Sequence, residues 1–354
     1  MNGTGRSGGF IRVLRPGLAT SVQDLGRRGY RSVGVPAGGA ADPYSLLVAN
    51  LLVGNAPDSA ALEATLAGPE LLFEEAAVVA VTGADWSPAV NGRPIPMWRP
   101  VAVPAGSRLA FAAPGGAAGA RAYVAVAGGL DVPQVLGGRG AYARAGFGGH
   151  EGGRPLAAGD RLALGEPSPP VRARLRAALA CWAAAGGPPE PLAPRWRAPR
   201  GRLSAPARLR AVPGPEAARF SPQTREAWTQ ATYRVLPASD RMGCRLSGPA
   251  ILPAESVQMY SGAVVFGTVQ IPPNGQPILL LADSQTTGGY PRMAQVIAVD
   301  LPVAGQLKPG DEVRFEFVTY AEAERLLLEA EADRRELAAG IRLALAFGGG
   351  WSPV

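Results

Sequence analysis

One turn-and-strand pattern occurs three times and constrains this chain more than any other feature. Val103–Phe111 (VPAGSRLAF), Leu156–Leu164 (LAAGDRLAL) and Leu307–Phe315 (LKPGDEVRF) each place Ala or Pro, then Gly, then Ser or Asp ahead of an alternating apolar run. Alternation marks a half-buried strand, and the glycine supplies the backbone freedom that a tight turn needs. A second echo links DLGRRGYRSVGVP (Asp24–Pro36) with SDRMGCRLSGPA (Ser239–Ala250), both setting Asp and Arg around a glycine. The chain therefore reads as two related β-rich halves. Closed barrels suit them better than open sheets, because closure removes strand edges.

Other strands are expected at Gly9–Leu14, Ala76–Thr82 and Arg121–Ala127, and then at Ala263–Ile271, Pro277–Ala282, Ala294–Leu301 and Glu312–Val318. Asn91-Gly92 is the strongest hairpin signal, since that pair accepts positive φ. In DPYSLLVANLLVGN, Asp42 suits a helix cap, Pro43 the first helical position and Gly54 the end. An Ala/Arg-rich helix precedes a stretch at Gly186–Pro206 too rich in proline to be regular. Thr319 and Glu322 form a capping box that opens a last helix. The organisation predicted is an N-terminal β-barrel domain over 10–165, a helix and Pro/Arg-rich linker over 166–206, a C-terminal β-barrel domain over 207–318 and a C-terminal helix over 319–347.

Composition excludes several chemistries. His150 is the sole histidine, so a His-rich metal site is impossible; within GFGGHEGG it reads as a loop residue. Cys181 and Cys244 are too few for a zinc site or a disulfide framework, and no metal is expected. The net charge of +7 comes almost wholly from scattered arginines, with Lys308 the sole lysine, which argues against a nucleic-acid partner. Arg195, Trp196, Arg197, Arg200 and Arg202 read as an arginine-decorated connector. No apolar run approaches the ~18 residues of a membrane span, and the Gly-rich start lacks a secretory core, so a cytoplasmic protein without membrane partners is expected.

Three segments concentrate polar groups beside glycine. In TSVQDLGRRGYRSVGVPAGGAAD, Gln23, Asp24, Arg27 and Asp42 offer charge-assisted bonds where glycines let a ligand approach the backbone. In SDRMG, Asp240 and Arg241 precede a glycine, and a guanidinium there suits a carboxylate in two-pronged geometry. In ADSQTTGGYPR, Gln285, Thr286, Thr287 and the amides of Gly288 and Gly289 gather donors at a strand end, with Tyr290 beside them. The single lysine leaves no P-loop.

Several runs taken together, from PGLATSVQDLGRRGYRSVGVPAGGAADPYSLLVANLLVGN through VTGAD, RAYVAVAGGLDVPQVLG and SDRMGCRLSGP to GTVQIPPNGQPILLLADSQTTGGYPRMAQVIAVDL and LKPGDEVRF, resemble the allophanate hydrolase subunit 2 family. That family is also called the biotin-dependent carboxyltransferase family and includes the C-type component of bacterial ATP-dependent 5-oxoprolinase. The resemblance spans about Ile11–Val318. It implies a mainly β chain with two cyclophilin-like β-barrel domains, a few helices and a C-terminal helix. It also implies a B-type partner (allophanate hydrolase subunit 1 family) and an A-type lactam-utilisation protein. Where the family usually reads like LGSRST, this chain reads LGGRGAYARAG (Leu136–Gly146), so two hydroxyls near Arg139 are absent.

The activity so implied is ATP-dependent hydrolysis of 5-oxo-L-proline to L-glutamate, shared among several polypeptides, with ATP bound by this chain or by a partner. In that scheme Arg27 or Arg241 takes the substrate carboxylate, and Asp24 or Asp240 orients water or the lactam N–H. Thr286, Thr287 and the glycine amides stabilise developing negative charge, while Asp42, Gln285 and Tyr290 complete the binding surface. One alternative is carboxyl transfer to urea or a similar amide, with biotin carried by another polypeptide because this chain has no carrier lysine between methionines. The other is a binding module that antagonises a kinase inhibitor.

Overall fold

The computed structural model describes residues 9–112, 119–185, 188–201, 206–254 and 259–354. The chain divides into two compact units, one made of 1–26, 43–201 and 335–354, the other of 27–42 and 202–334. Residues 27–42 thus belong with the second unit although they lie inside the first block of sequence. Three contacts within that unit hold them. Arg241 Nη2 donates to Gly39 O at 2.6 Å, Gln306 Nε2 donates to the buried Asp42 Oδ2 at 2.8 Å, and Gly305 lies so close to Ala41 that a Cβ would stand 1.8 Å from its carbonyl oxygen.

The first unit contains two antiparallel sheets. One runs Arg161–Ala163, Phe10–Arg15, Glu70–Phe73, Arg108–Phe111, Pro88–Val90 and Arg93–Pro94. The other runs Ala19–Gln23, Ala61–Thr65, Arg121–Val126, Ala77–Gly83, Val101–Val103, Leu192–Ala193 and Ser352–Pro353. Each sheet ends on one side in a two-residue strand containing proline, which offers no N–H to a further strand and so blunts the edge. Leu192–Ala193 is regular structure inside the Pro-rich connector, where none was expected; Arg202 of the arginine cluster lies outside the described residues. Helices Pro43–Leu52 and Pro169–Ala184 form where the sequence indicated.

Seven strands of the second unit close into a barrel in the order Ala207–Pro213, Arg292–Val296, Thr268–Gln270, Ile278–Leu280, Gly243–Ser247, Tyr233–Val235 and Glu312–Phe317. The ring closes by parallel pairing of its first and last members, with Leu209 opposite Phe315. Leu209, Val269, Leu279, Met293 and Phe315 fill the core, and Trp228 of the helix Pro222–Gln230 stacks on Phe315 at 4.6 Å. The chain is therefore mainly β, with a closed barrel and a C-terminal helix, Tyr320–Phe347. Glu322 N donates to Thr319 Oγ1 at 3.1 Å at the start of that helix, while the Glu322 carboxylate turns to Arg325. Among the described residues no helix is long and apolar enough to cross a membrane.

The recurrent turn is the same object each time: Gly106, Gly159 and Gly310 have φ of +76°, +94° and +91°, with open space where a side chain would project. Two expected strands differ. Ala263–Ile271 is interrupted at Gly267, whose φ of +87° turns the chain between Gly262–Ala263 and Thr268–Gln270. Ala294–Leu301 ends as a strand at Val296 and becomes helical through Gly305, because Asp300 turns its carboxylate to the Arg210 amide and guanidinium, and Pro302 favours a helix start.

Candidate functional site

In the first unit, Asp24 follows the strand Ala19–Gln23 and is 4% exposed. Its Oδ1 accepts from Gly26 N at 2.8 Å, and its Oδ2 accepts from the Arg139 amide. Gly140 permits that approach, since a Cβ there would lie 2.7 Å from Asp24 Oδ1 and 3.0 Å from Gln23 Oε1. The carboxylate thus pins the 137–141 loop to the sheet. Beside it opens a cavity of about 420 Å³ whose wall includes Asp24, Asp58, Asp131, Gln134 and Arg139, together with backbone at Gly128, Gly129, Gly137 and Gly165. The volume lies within the range of small-molecule sites, ~300–1,000 Å³. The side chain of Arg139 has no hydrogen bond or ion pair among the described residues, so the cavity wall carries one uncommitted cation together with three aspartates. Asp58, Asp131 and Gln134 were not singled out from sequence. Asp131 and Gln134 share one loop, but Asp58 lies more than seventy residues before them and no local motif joins it to that loop.

In the second unit, Arg241 meets a carboxylate that sequence reasoning did not select. Its Nε donates to Asp283 Oδ2 at 2.7 Å and its Nη2 to Asp283 Oδ1 at 3.0 Å, with side chains 20% and 13% exposed. The two-pronged edge expected to take a substrate carboxylate therefore holds Asp283. Arg27 is 1% exposed, and Gly38 lies between its guanidinium and Asp283, since a Cβ at Gly38 would be 3.1 Å from Arg27 Nη1 and 3.7 Å from Asp283 Oδ1. Asp240 is exposed, and its Oδ1 accepts from the amides of Met242 and Gly243 at 2.8 and 3.2 Å, which shapes the turn.

Part of the 285–290 run, expected as donors at a strand end, is itself strand. Thr287–Gly288 pairs with Gly262–Ala263 as a short ribbon, and Thr286 O accepts from Val264 N at 3.0 Å. Gln285 and Thr286 are half-buried, whereas Thr287, Gly289 and Tyr290 are exposed. Gly288 leaves room for the Gln270 amide, whose Nε2 would lie 2.5 Å from a Cβ. Two arginines brace the ribbon. Arg31 Nη2 donates to Val264 O, and burial lowers that guanidinium's pKa from its ordinary value. Arg292 Nη1 donates to Ala263 O at 2.7 Å while its Nε and Nη2 grip Glu216 at 2.7 and 2.6 Å. That hydrogen bonding holds the Glu216 carboxyl below the usual carboxylate range.

His150 lies with Glu151 and Asp160, its Nε2 3.8 and 3.7 Å from their oxygens. Arg154 already binds both carboxylates, and its hydrogen bonds to Asp160 hold that carboxyl below its ordinary value. A guanidinium among the would-be ligands opposes a cation, and the trio closes a turn as the glycine-flanked sequence suggested.

A mainly β chain with a closed barrel and a glycine-walled polar cavity defines the class, and the sequence match agrees: residues 33–317 match the carboxyltransferase domain family, subdomains A and B, and the chain belongs to that family. It is 35% identical to the C subunit of 5-oxoprolinase from Escherichia coli over 92% of this chain and 96% of that protein. The solved structure of TTHA0988 is 33% identical, with a TM-score of 0.72 over 87% of this chain. K. lactis urea amidolyase is 29% identical, with a TM-score of 0.78 over 94%. This chain spans 55% and 20% of those two solved chains.

Proposed function

We propose that the protein is one subunit of an ATP-dependent 5-oxoprolinase that converts 5-oxo-L-proline to L-glutamate with A-type and B-type partner proteins. The observation that carries this reading is the extent of the match, which runs through 96% of the C component of 5-oxoprolinase but 20% of urea amidolyase. A lactam is a resonance-stabilised amide. Phosphoryl transfer from ATP to its carbonyl oxygen makes the carbon electrophilic, so that water adds and the ring nitrogen leaves as the amine. A second water then releases phosphate from the acyl phosphate. Within this chain, Arg139 suits the substrate carboxylate and Asp58 or Asp131 the lactam N–H, in a cavity of fitting size. ATP is a co-substrate in this scheme, and part of the 285–290 backbone already serves strand pairing.

Carboxyl transfer to urea is the second reading, favoured by the family match and by the TM-score of 0.78 to urea amidolyase. The biotin carrier would then lie outside these residues, since Lys308 is tied to Asp311 at 2.6 Å in a turn. Reconstitution separates the two. Purified chain mixed with its A-type and B-type partner proteins is expected to release glutamate and ADP from 5-oxoproline and ATP. Carboxylation of urea with a biotin carboxylase and its carrier, and no glutamate release, would replace the first reading by the second.

A further inference from the structure

On the outer wall of the second unit's barrel, the helix Pro222–Gln230 and the strands Ala207–Pro213 and Glu312–Phe317 enclose a groove of about 760 Å³. We infer that this groove binds a multiply charged anion, a small molecule bearing phosphate or several carboxylates. Arg208 and Arg314 stand directly opposite one another in the parallel ladder, both exposed and both in the groove wall. Like charges in register repel, and a sheet tolerates them best when something negative sits between them. One step along the same face the ladder places Arg210 opposite Glu316, and there Arg210 is held by Asp300 at 2.6 Å. No such partner serves the first pair: among the described residues the Arg208 side chain makes no hydrogen bond or ion pair, and Arg314 Nε is oriented by Thr232 Oγ1 at 2.7 Å.

The helix supplies the third cation. Arg225 enters the same groove with its Nε buried and without a hydrogen-bond partner among the described residues, a donor whose burial is costly unless something accepts from it. Pro222, at the positive end of the helix dipole, also lines the groove. Other arginines of this unit grip an acid instead, as Arg241 does Asp283 and Arg292 does Glu216. Glu226 and Glu316 in the groove wall limit the positive field to a short range, which suits a compact anion and disfavours a long polyanion such as nucleic acid. Phe317, packed on Trp228 at 5.0 Å, gives the groove an apolar flank for an organic body.

Calorimetric titration of the full chain at low salt with pyrophosphate, and separately with citrate, tests this inference. One saturable site per chain is expected for at least one probe, and the probe that binds more tightly identifies phosphate or carboxylate as the source. Binding is expected to weaken at least tenfold in Arg208→Gln and in Arg225→Gln, and to stay unchanged in Arg176→Gln, an exposed arginine on the first unit's helix. If Arg225→Gln fails to fold, the exposed Arg208→Gln decides alone. Absence of saturable binding by both probes, or equal weakening in Arg176→Gln, overturns the inference. Binding of a glutamate-rich peptide without binding of either small anion also overturns it, in favour of a protein-docking surface. This site stands apart from the oxoprolinase reading, and no outcome of the titration depends on it.

Discussion

Replacing Arg241 by alanine removes two charge-assisted hydrogen bonds to Asp283 and a third to Gly39 O. Asp283, 13% exposed with Arg241 in place, then loses this guanidinium, and residues 27–42 lose a tie to the rest of their unit. Breaking a buried pair from one side costs ~3–5 kcal/mol. The partial exposure of Arg241 discounts that figure, giving about 2–3 kcal/mol, which for a unit of this size lowers the melting temperature by roughly 4–12 °C. Arg241→Lys keeps the charge but loses the planar fork, and is expected to fall between wild type and alanine. Thermal and urea unfolding of Arg241→Ala, Asp283→Ala and the double variant supply the coupling energy, expected at about 1–3 kcal/mol. If Arg241→Ala melts within 1–2 °C of wild type while raising the KM for 5-oxoproline, the arginine grips substrate and the structural account of it is refuted.

Gly305→Ala drives a Cβ toward Ala41 O, and the clash is between backbones, so a loss of roughly 2–3 kcal/mol in unfolding free energy is expected; unchanged stability would show that the 27–42 segment can shift freely. Glu216 has its carboxyl pKa lowered by hydrogen bonds to Arg292, so the stability it contributes is full above its unfolded-state pKa of ~4.3 and is lost as pH falls through the lower folded value. Acid titration of Glu216→Gln should therefore show a shallower fall below about pH 4 than wild type, and parallel curves would count against the pair.

Local signals carried the parts of the fold that local chemistry decides. The three glycine turns, the Asn91-Gly92 hairpin with φ of 51° and 81°, and the Thr319 cap all form as their residues indicate. What was illegible depends on distance along the chain. Asp283 meets Arg241 across 42 residues, and one aspartate in a sequence looks like any other until the barrel brings it round. The same holds for the cavity beside Asp24, whose wall is assembled from loops between residues 24 and 165, and for Ala41 against Gly305. The break at Gly267 was hidden because strand-forming residues flank it on both sides, Val264–Phe266 before and Thr268–Ile271 after, so the run read as one strand.

Arg139→Gln isolates the claim that the first unit's cavity serves the reaction, because the Arg139 backbone amide still bonds Asp24 while the side-chain cation is gone. The decisive measurement is the KM for 5-oxoproline in the reconstituted complex, alongside the melting temperature of the chain. A rise of at least tenfold in KM, with melting within 1–2 °C of wild type, is the result expected of a guanidinium that holds the substrate carboxylate. Wild-type kinetics in the folded variant would contradict it and remove the cavity from the reaction.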